Sequence, residues 1–430
     1  MLSQIKKHII GCLRVVAMTT QVVFKDSGIL LFIIGVPLLY PILYSICYNP
    51  EIIHEVPITV VDNSRSSMSR EYIRNLDATP NVEIVGISPD IEQARNSIKK
   101  QESYGYLVIP ANFSKDISHG KQAYVSVYCD MSGMLYYQQI LTASTNVTLH
   151  TNNLIRLKLA GNTTQRQDEL TTAPIQYEEV NLFNSSGGMA SYLLPAVLIL
   201  IIQQTLFFGI GMASGTMREN KKYLLLSHTG KPFQGVLHTI IGITIFYLLI
   251  EIFNSAFLTL FIPHLFNLNQ VMNAGTLAFF ILPYLLSCIF FSLLLGTLVR
   301  NREITMLIFV FTSVPLLFIS GISWPGAAIP PFWKAVSYIF PSTFGINGFV
   351  RIHTEYASLE DVRFEYTMLW IQSVVYFFLT YIVSLYLHKK SCSEKTADEP
   401  HVEEHLPASG NMTDMGHRTK RICVGGLKSE

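Results

Sequence analysis

Charge is scarce in this 430-residue chain: Asp, Glu, Lys and Arg make up 14% of it, against 50% hydrophobic residues. So thin a polar coat argues against a soluble enzyme and for a membrane protein carrying one sizeable polar domain. The net charge of +1 gives no basic footprint, so no nucleic-acid partner is expected. Cysteine is sparse too. Cys12, Cys47, Cys129, Cys288, Cys392 and Cys423 are scattered without a CxxC pair, which supports neither a disulfide framework nor a zinc site. There is no phosphate-binding loop. Gly120-Lys121 and Gly230-Lys231 lack both the upstream Gly and the following Ser or Thr that such a loop needs. Ser114, Asp116 and His119 cluster only on what reads as a strand-connecting loop, so no catalytic residue is expected. His401 and His405 lack convergent ligands, so no metal site is expected either.

What the chain has instead is long apolar runs. The first span is Gly28 to Tyr48, with Pro37 and Pro41 inside it. It is not a cleavable signal peptide, because some two dozen mixed residues precede it, and it would act as an uncleaved anchor. Five further runs, at 189–213, 235–262, 275–299, 304–322 and 368–387, bring the expected number of transmembrane helices to six. Residues 3–24 carry Ile5, Ile9, Leu13 and Ala17 at four-residue spacing, with Lys6, Lys7 and Arg14 elsewhere. They read either as an amphipathic helix lying on the membrane surface or as a plain positive flank that orients the first span.

Between the first and second spans the composition turns polar. VPITVVD (56–62), VEIVGI (82–87), YGYLVIP (104–110) and AYVSVYCD (123–130) predict strands. Helices are predicted over 66–76, over 88–100 with Ser88 as N-cap, and from Met134 to about Leu159. One side of the predicted spans carries Lys6, Lys7, Arg14, Lys25, Arg218, Lys221, Lys222, Lys231, Arg300, Arg302, Lys389 and Lys390. The loop at 263–274 on the other side has none. The positive-inside rule then makes both termini cytoplasmic and the polar domain extracytoplasmic.

The expected organisation is a polytopic α-helical membrane protein. Residues 1–26 form a cytoplasmic interfacial helix, 27–48 the first span and 49–188 an extracytoplasmic α/β domain. Residues 189–387 hold spans two to six, and 388–430 a disordered cytoplasmic tail. Between spans five and six, 323–366 is broken at Pro325, Pro330, Pro331 and Pro341, just after Gly321, and aromatics such as Trp324 and Trp333 sit between the breaks. The topology favours a re-entrant outer gate over an ordinary aromatic-anchored loop.

A few polar residues fall inside spans. Glu251 sits about 20 Å from the cytoplasmic end of span three at roughly 1.5 Å per residue. Asn254 follows on the same face. A carboxylate at that depth must face protein or water, or be protonated, and by default marks function. Gln203 and Gln204, near the middle of span two, either line a polar path or bond helices together. The loop at 216–233 mixes Arg218, Glu219, Lys221 and Lys222 with apolar residues from Tyr223, as a helix docking on a soluble partner would.

In order and spacing, VVDNSRSSMSR, LVIPANFSKDISHGKQAYVSVYCD and SGISWPGAAIPPFWKAVSYIFPST resemble segments of the permease subunit of ABC-2-type bacterial exporters, in the multidrug-permease branch. The resemblance reaches about Lys390. It implies a permease that is catalytically silent alone and binds no cofactor. Separate ATPase subunits hold ATP and magnesium, and a second permease completes a homodimer or heterodimer. It further implies a multi-pass protein of the bacterial inner membrane, contact with membrane lipid and the option of a periplasmic adaptor. Spans two and five would line the pathway, which adds Thr312 and Ser313 to Gln203 and Gln204. Arg218, Glu219, Lys221, Lys222 and Tyr223 would meet the ATPase, although the Gly-Thr and second Glu of the family loop are missing. The cargo suggested is amphipathic or hydrophobic. The alternatives are an ion-coupled transporter using Glu251 and a membrane-anchored extracytoplasmic receptor.

Overall fold

The computed structural model describes residues 2–48, 52–160, 183–184, 188–219, 232–266, 272–299 and 301–397. They fall into two compact units, Pro50–Asn181 and the remainder of the chain. The predicted tail beyond Ala397, the residues Lys221, Lys222 and Tyr223, and the side chains of Arg218 and Glu219 lie outside what is described.

The smaller unit is a four-stranded sheet in the order β2-β1-β3-β4. Its strands are β1 (Val56–Asp62), β2 (Val82–Ile87), β3 (Gly105–Ile109) and β4 (Ser126–Cys129). The first three are parallel, and β4 runs antiparallel to β3. Because β1 is central it is covered on both faces. Val56, Ile58 and Val60 pack with Tyr72, Leu76 and Ile140, while Val61 packs with Ala94 and Tyr106. Helix α3 (Ser67–Asp77) and the long α6 (Met134–Ala160) supply the first set, and α4 (Ile91–Lys99) the second. The quoted motif VVDNSRSSMSR has a local cause. Asp62 Oδ1 accepts from the Ser64 and Arg65 amides at 3.0 and 2.9 Å, and Oδ2 accepts from Ser69 Oγ at 2.8 Å. Ser66 and Ser69 close a capping box on α3. Two predicted details shift. The N-cap of α4 is Asp90, whose carboxylate takes the Gln93 amide at 2.8 Å, rather than Ser88. The loop carrying Ser114 and Asp116 forms a short helix, α5 (Phe113–Ser118).

The larger unit is helical. Among the described residues seven helices are long and apolar enough to cross a membrane, one more than the sequence predicts. The additional one is α1 (Leu2–Lys25), whose apolar window just reaches that length. The predicted stripe residues Ile9 and Leu13 are exposed, whereas Gly11 and Val15 lie against α8 (Pro232–Ala256) at His238 and Gly242. The first predicted span is α2 (Ser27–Tyr48), interrupted by a π-helical turn at Leu31–Gly35. Then come α7 (Met189–Glu219), α8, α9 (Ala274–Leu298), α10 (Arg302–Ile319) and α13 (Arg363–Ala397). Helix α8 also runs into a π-helical turn, at Phe257–Phe261. With these apolar helices the chain is a multi-pass membrane protein.

Helix α7 is the central element, packed against α2, α8, α9, α10 and α12 (Pro341–Thr354). Most residues along its apolar stretch are buried, whereas few along α10 are, so α10 presents most of its surface outward.

Candidate functional site

The seam between α7 and α10 is built on small residues. A Cβ at Gly211 would lie 2.3 Å from Thr305 Cγ2, and one at Gly215 would lie 2.9 Å from the Arg302 backbone nitrogen, so only hydrogen fits at either. Further along, Phe208 and Phe309 meet edge to face with ring centroids 5.1 Å apart. Gln204 shares the helical face of Phe208 and Gly211 by its spacing. Its amide is buried, and neither polar atom has a partner among the described residues. The hydroxyls of Thr312 and Ser313 turn back to their own helix, donating to Ile308 O at 2.8 Å and Val310 O at 3.0 Å.

Gln203 faces elsewhere. Its Oε1 accepts the Ser342 amide at 2.6 Å, so the N-terminus of α12 is capped from α7. Gln203→Ala would leave that buried amide unpaired at a cost of about 1–3 kcal/mol. The variant in nanodiscs is expected to melt several degrees below the wild type; an unchanged midpoint would show the bond to be dispensable.

The predicted gate residues form a pinned segment. Gly321 takes φ +95 where α10 ends, a conformation that suits glycine. The prolines start helices rather than break them: Pro325 precedes a 3-10 turn, Pro330 and Pro331 begin α11 (Pro331–Ser337), and Pro341 begins α12. The bonds that hold the segment come from three helices. On α7, Tyr192 OH donates to Ile322 O. On α12, Asn347 Nδ2 donates to Ser320 O at 3.1 Å. On α13, Gln372 Nε2 donates to Tyr338 O at 2.8 Å and Tyr376 OH donates to Ile339 O. Trp324 and Trp333 remain exposed, and with Pro315, Phe318, Ile319, Ile329 and Pro330 they line an apolar groove of about 340 Å³. In the turn before α13, Asp361 accepts from Ser358 Oγ at 2.7 Å and from the Ser358 amide at 2.8 Å, which holds its carboxyl below the usual range.

Glu251 and Asn254 are both fully buried on one face of α8. Asn254 Nδ2 donates to Glu251 Oε1 at 3.3 Å and to Ile33 O, in the π-helical turn of α2, at 2.8 Å. Tyr247 on the same helix, and Tyr284 and Cys288 on α9, lie within electrostatic range of the carboxyl. The predicted pathway residues thus occupy three places: Gln204, Thr312 and Ser313 on α7 and α10, Gln203 under α12, and the Glu251–Asn254 pair toward α2 and α9. Among the described residues no hydrogen bond joins the glutamines to Glu251.

At the end of the unit where α2 and α10 begin, Asp26 and Arg302 form a two-pronged ion pair, Oδ1–Nη2 and Oδ2–Nη1 both at 2.9 Å. Asp26 Oδ1 also accepts the Gly28 and Ile29 amides and so caps α2. A cleft of about 640 Å³ opens beside the pair, lined by Lys25, Ser27, Thr216 and Met217 among others. The sequence counts Arg302 only as one of the positive flanking charges and passes over Asp26. A lone Asp between a basic helix end and an apolar run, with Ser and Gly following, is an N-cap signal that marks it.

A family model described as ABC-2 family transporter protein matches residues 27–382, most of the chain. No curated protein matches.

Proposed function

The chain belongs to the ABC-2 family of transporter proteins and is a permease subunit that works with separate ABC ATPases, and on that premise we propose that it exports amphipathic or hydrophobic compounds through a path beside α7 and α10. The observation that carries this reading is the contrast between those two helices. Apolar side chains at Leu307, Val310, Phe311, Val314 and Phe318 form an exposed stripe on α10, whose anchored face rests on the glycines of α7. A second permease copy would cover that stripe, with Gln204 and Thr312 in the α7–α10 seam behind it. The apolar groove at Trp324 and Trp333 then lies where cargo would leave. Pinning of the segment at its two ends, at Ser320 and Ile322 by α12 and α7 and at Tyr338 and Ile339 by α13, supports a re-entrant outer gate rather than a free loop.

In this reading the protein lies in a bacterial inner membrane with both termini cytoplasmic. The unit at Pro50–Asn181 is extracytoplasmic and offers a surface to a periplasmic adaptor. Helix α1 lies at the cytoplasmic face with Ile9 and Leu13 toward lipid. It and Arg218, Glu219, Lys221, Lys222 and Tyr223 meet the ATPase.

The chain co-expressed with its ATPase in proteoliposomes is expected to move a hydrophobic dye outward only when ATP is hydrolysed. A single Cys at Phe311 on a cysteine-free background is expected to cross-link two permease copies. Flux driven by an ion gradient without ATP would overturn the reading, as would failure of the chain to co-purify with any ATPase.

A further inference from the structure

The bonds around Glu251 do not close with the carboxyl ionised. Asn254 spends both amide hydrogens, one on Glu251 Oε1 and one on Ile33 O. Two buried acceptors on one helix face, three residues apart, are then left over, Glu251 Oε2 and Asn254 Oδ1, and among the described residues neither has a donor. Glu251 has no exposed surface, and among the described residues no buried Lys or Arg is there to pair with it. The charge-bearing groups within its range, Tyr247, Tyr284 and Cys288, supply no cation. The buried histidines are elsewhere: His238 lies about 20 Å back along α8 at roughly 1.5 Å per residue, and His353 is on α12. An uncompensated carboxylate in such a place is too costly to persist.

One hydrogen repairs the account. A neutral carboxyl has an O–H to give and keeps an acceptor, so it pairs with an amide in both directions, C=O to N–H and O–H to C=O. We propose that Glu251 is a proton-binding site, with the proton on Oε2 and Asn254 Oδ1 as its acceptor, and that the neutral pair locks the π-helical turn of α2 onto α8. The proton comes from water and returns to water, and no covalent bond of the chain changes. With Asn254 held in this way, its second hydrogen is fixed on Ile33 O, where the π-helical turn departs from regular helix pairing. Loss of the proton leaves two facing acceptors and frees the turn. The inference rests on the membrane placement of α8 but not on the path beside α7 and α10.

The test needs neither ATPase nor cargo. Infrared spectra of the full chain in nanodiscs at neutral pH are expected to contain a protonated-carboxyl C=O stretch that is lost in Glu251→Gln and displaced in Asn254→Ala. Glu251→Gln, whose amide supplies a permanent donor, is expected to melt no lower than the wild type at neutral pH. The sign with pH follows from proton uptake on folding. The wild type binds this proton folded and releases it unfolded, so its stability falls as pH rises, while the Gln variant lacks that loss. A carboxyl band unaffected by Glu251→Gln, or equal alkaline destabilisation of both proteins, would overturn the proposal.

Discussion

Reversing the charge of either Asp26 or Arg302 is expected to abolish transport, and reversing both is expected to bring back part of it. The pair joins the end of α1 and the start of α2 to the start of α10, residues 276 positions apart. Helix α10 is otherwise held along one face by α7, at Gly211, Gly215 and Phe208, so the pair is its tie to α1 and α2 at this end. Exposed ion pairs contribute about 0–1 kcal/mol, whereas breaking a buried one costs about 3–5 kcal/mol. With side chains 17% exposed at Asp26 and 37% at Arg302, this two-pronged pair falls between those limits. Asp26→Arg or Arg302→Asp adds like-charge repulsion at the same spot. Under the proposed function the consequence is mechanical: α1, pushed by the ATPase, loses its rigid link to α10.

The expected rescue is asymmetric, and that asymmetry identifies the two jobs of Asp26. Exchange of the two charges restores the ion pair but not the cap, because Arg cannot accept the Gly28 and Ile29 amides. The missing cap costs about 0.5–2 kcal/mol. Asp26→Asn does the reverse, keeping a good cap while discarding the charge. The measurements are ATP-driven dye flux and basal ATP hydrolysis of the assembled complex. Normal hydrolysis with lost flux in Arg302→Asp is the expected sign of uncoupling. Normal flux in that variant would show that the pair carries no force.

Local order was legible in the chain and remote pairing was not. The spans could be read because a run of about twenty apolar residues has few other solutions. The α/β unit could be read because period-two strands alternate with capped helices, as at Ser66 and α3. The prolines at 325, 330, 331 and 341 were visible, but their sense was ambiguous: a proline ends one helix and begins another with equal ease. Burial of Glu251 followed from its place in an apolar run. Its partner's second bond, to Ile33 O on α2, could not follow, because a backbone carbonyl leaves no mark in sequence and a π-helical turn has no composition of its own. The same holds for Gln203. A glutamine in mid-span announces a hydrogen bond without saying that a helix start at Ser342 will receive it.

The seat of α12 yields the other large expected effect. Helix α12 lies against α9 through two notches: a Cβ at Gly345 would come within 2.3 Å of the Tyr284 ring, and one at Gly348 within 2.3 Å of the Phe280 ring. Neither ring has room to retreat. Both are fully buried, and Tyr284 is also tied by its hydroxyl to Ile199 O at 2.6 Å. Overpacking of a filled core costs about 1–3 kcal/mol, occasionally more, for each misfit. Gly348→Leu forces a whole side chain into the notch and is expected to unseat α12 and, through Asn347 and Gln203, the segment at 320–342. The expected signs are a melting point lowered by many degrees in nanodiscs and rapid proteolysis within 323–340. Gly348→Ala should show a weaker form of both. Pairing it with Phe280→Leu, which shortens the opposing side chain, should recover most of the loss. If Gly348→Ala melts like the wild type, the helices are not packed ring into notch. If the pair fails to recover while Phe280→Leu alone is tolerated, the misfit lies instead at Glu365, whose Cβ would stand 3.3 Å from the added methyl.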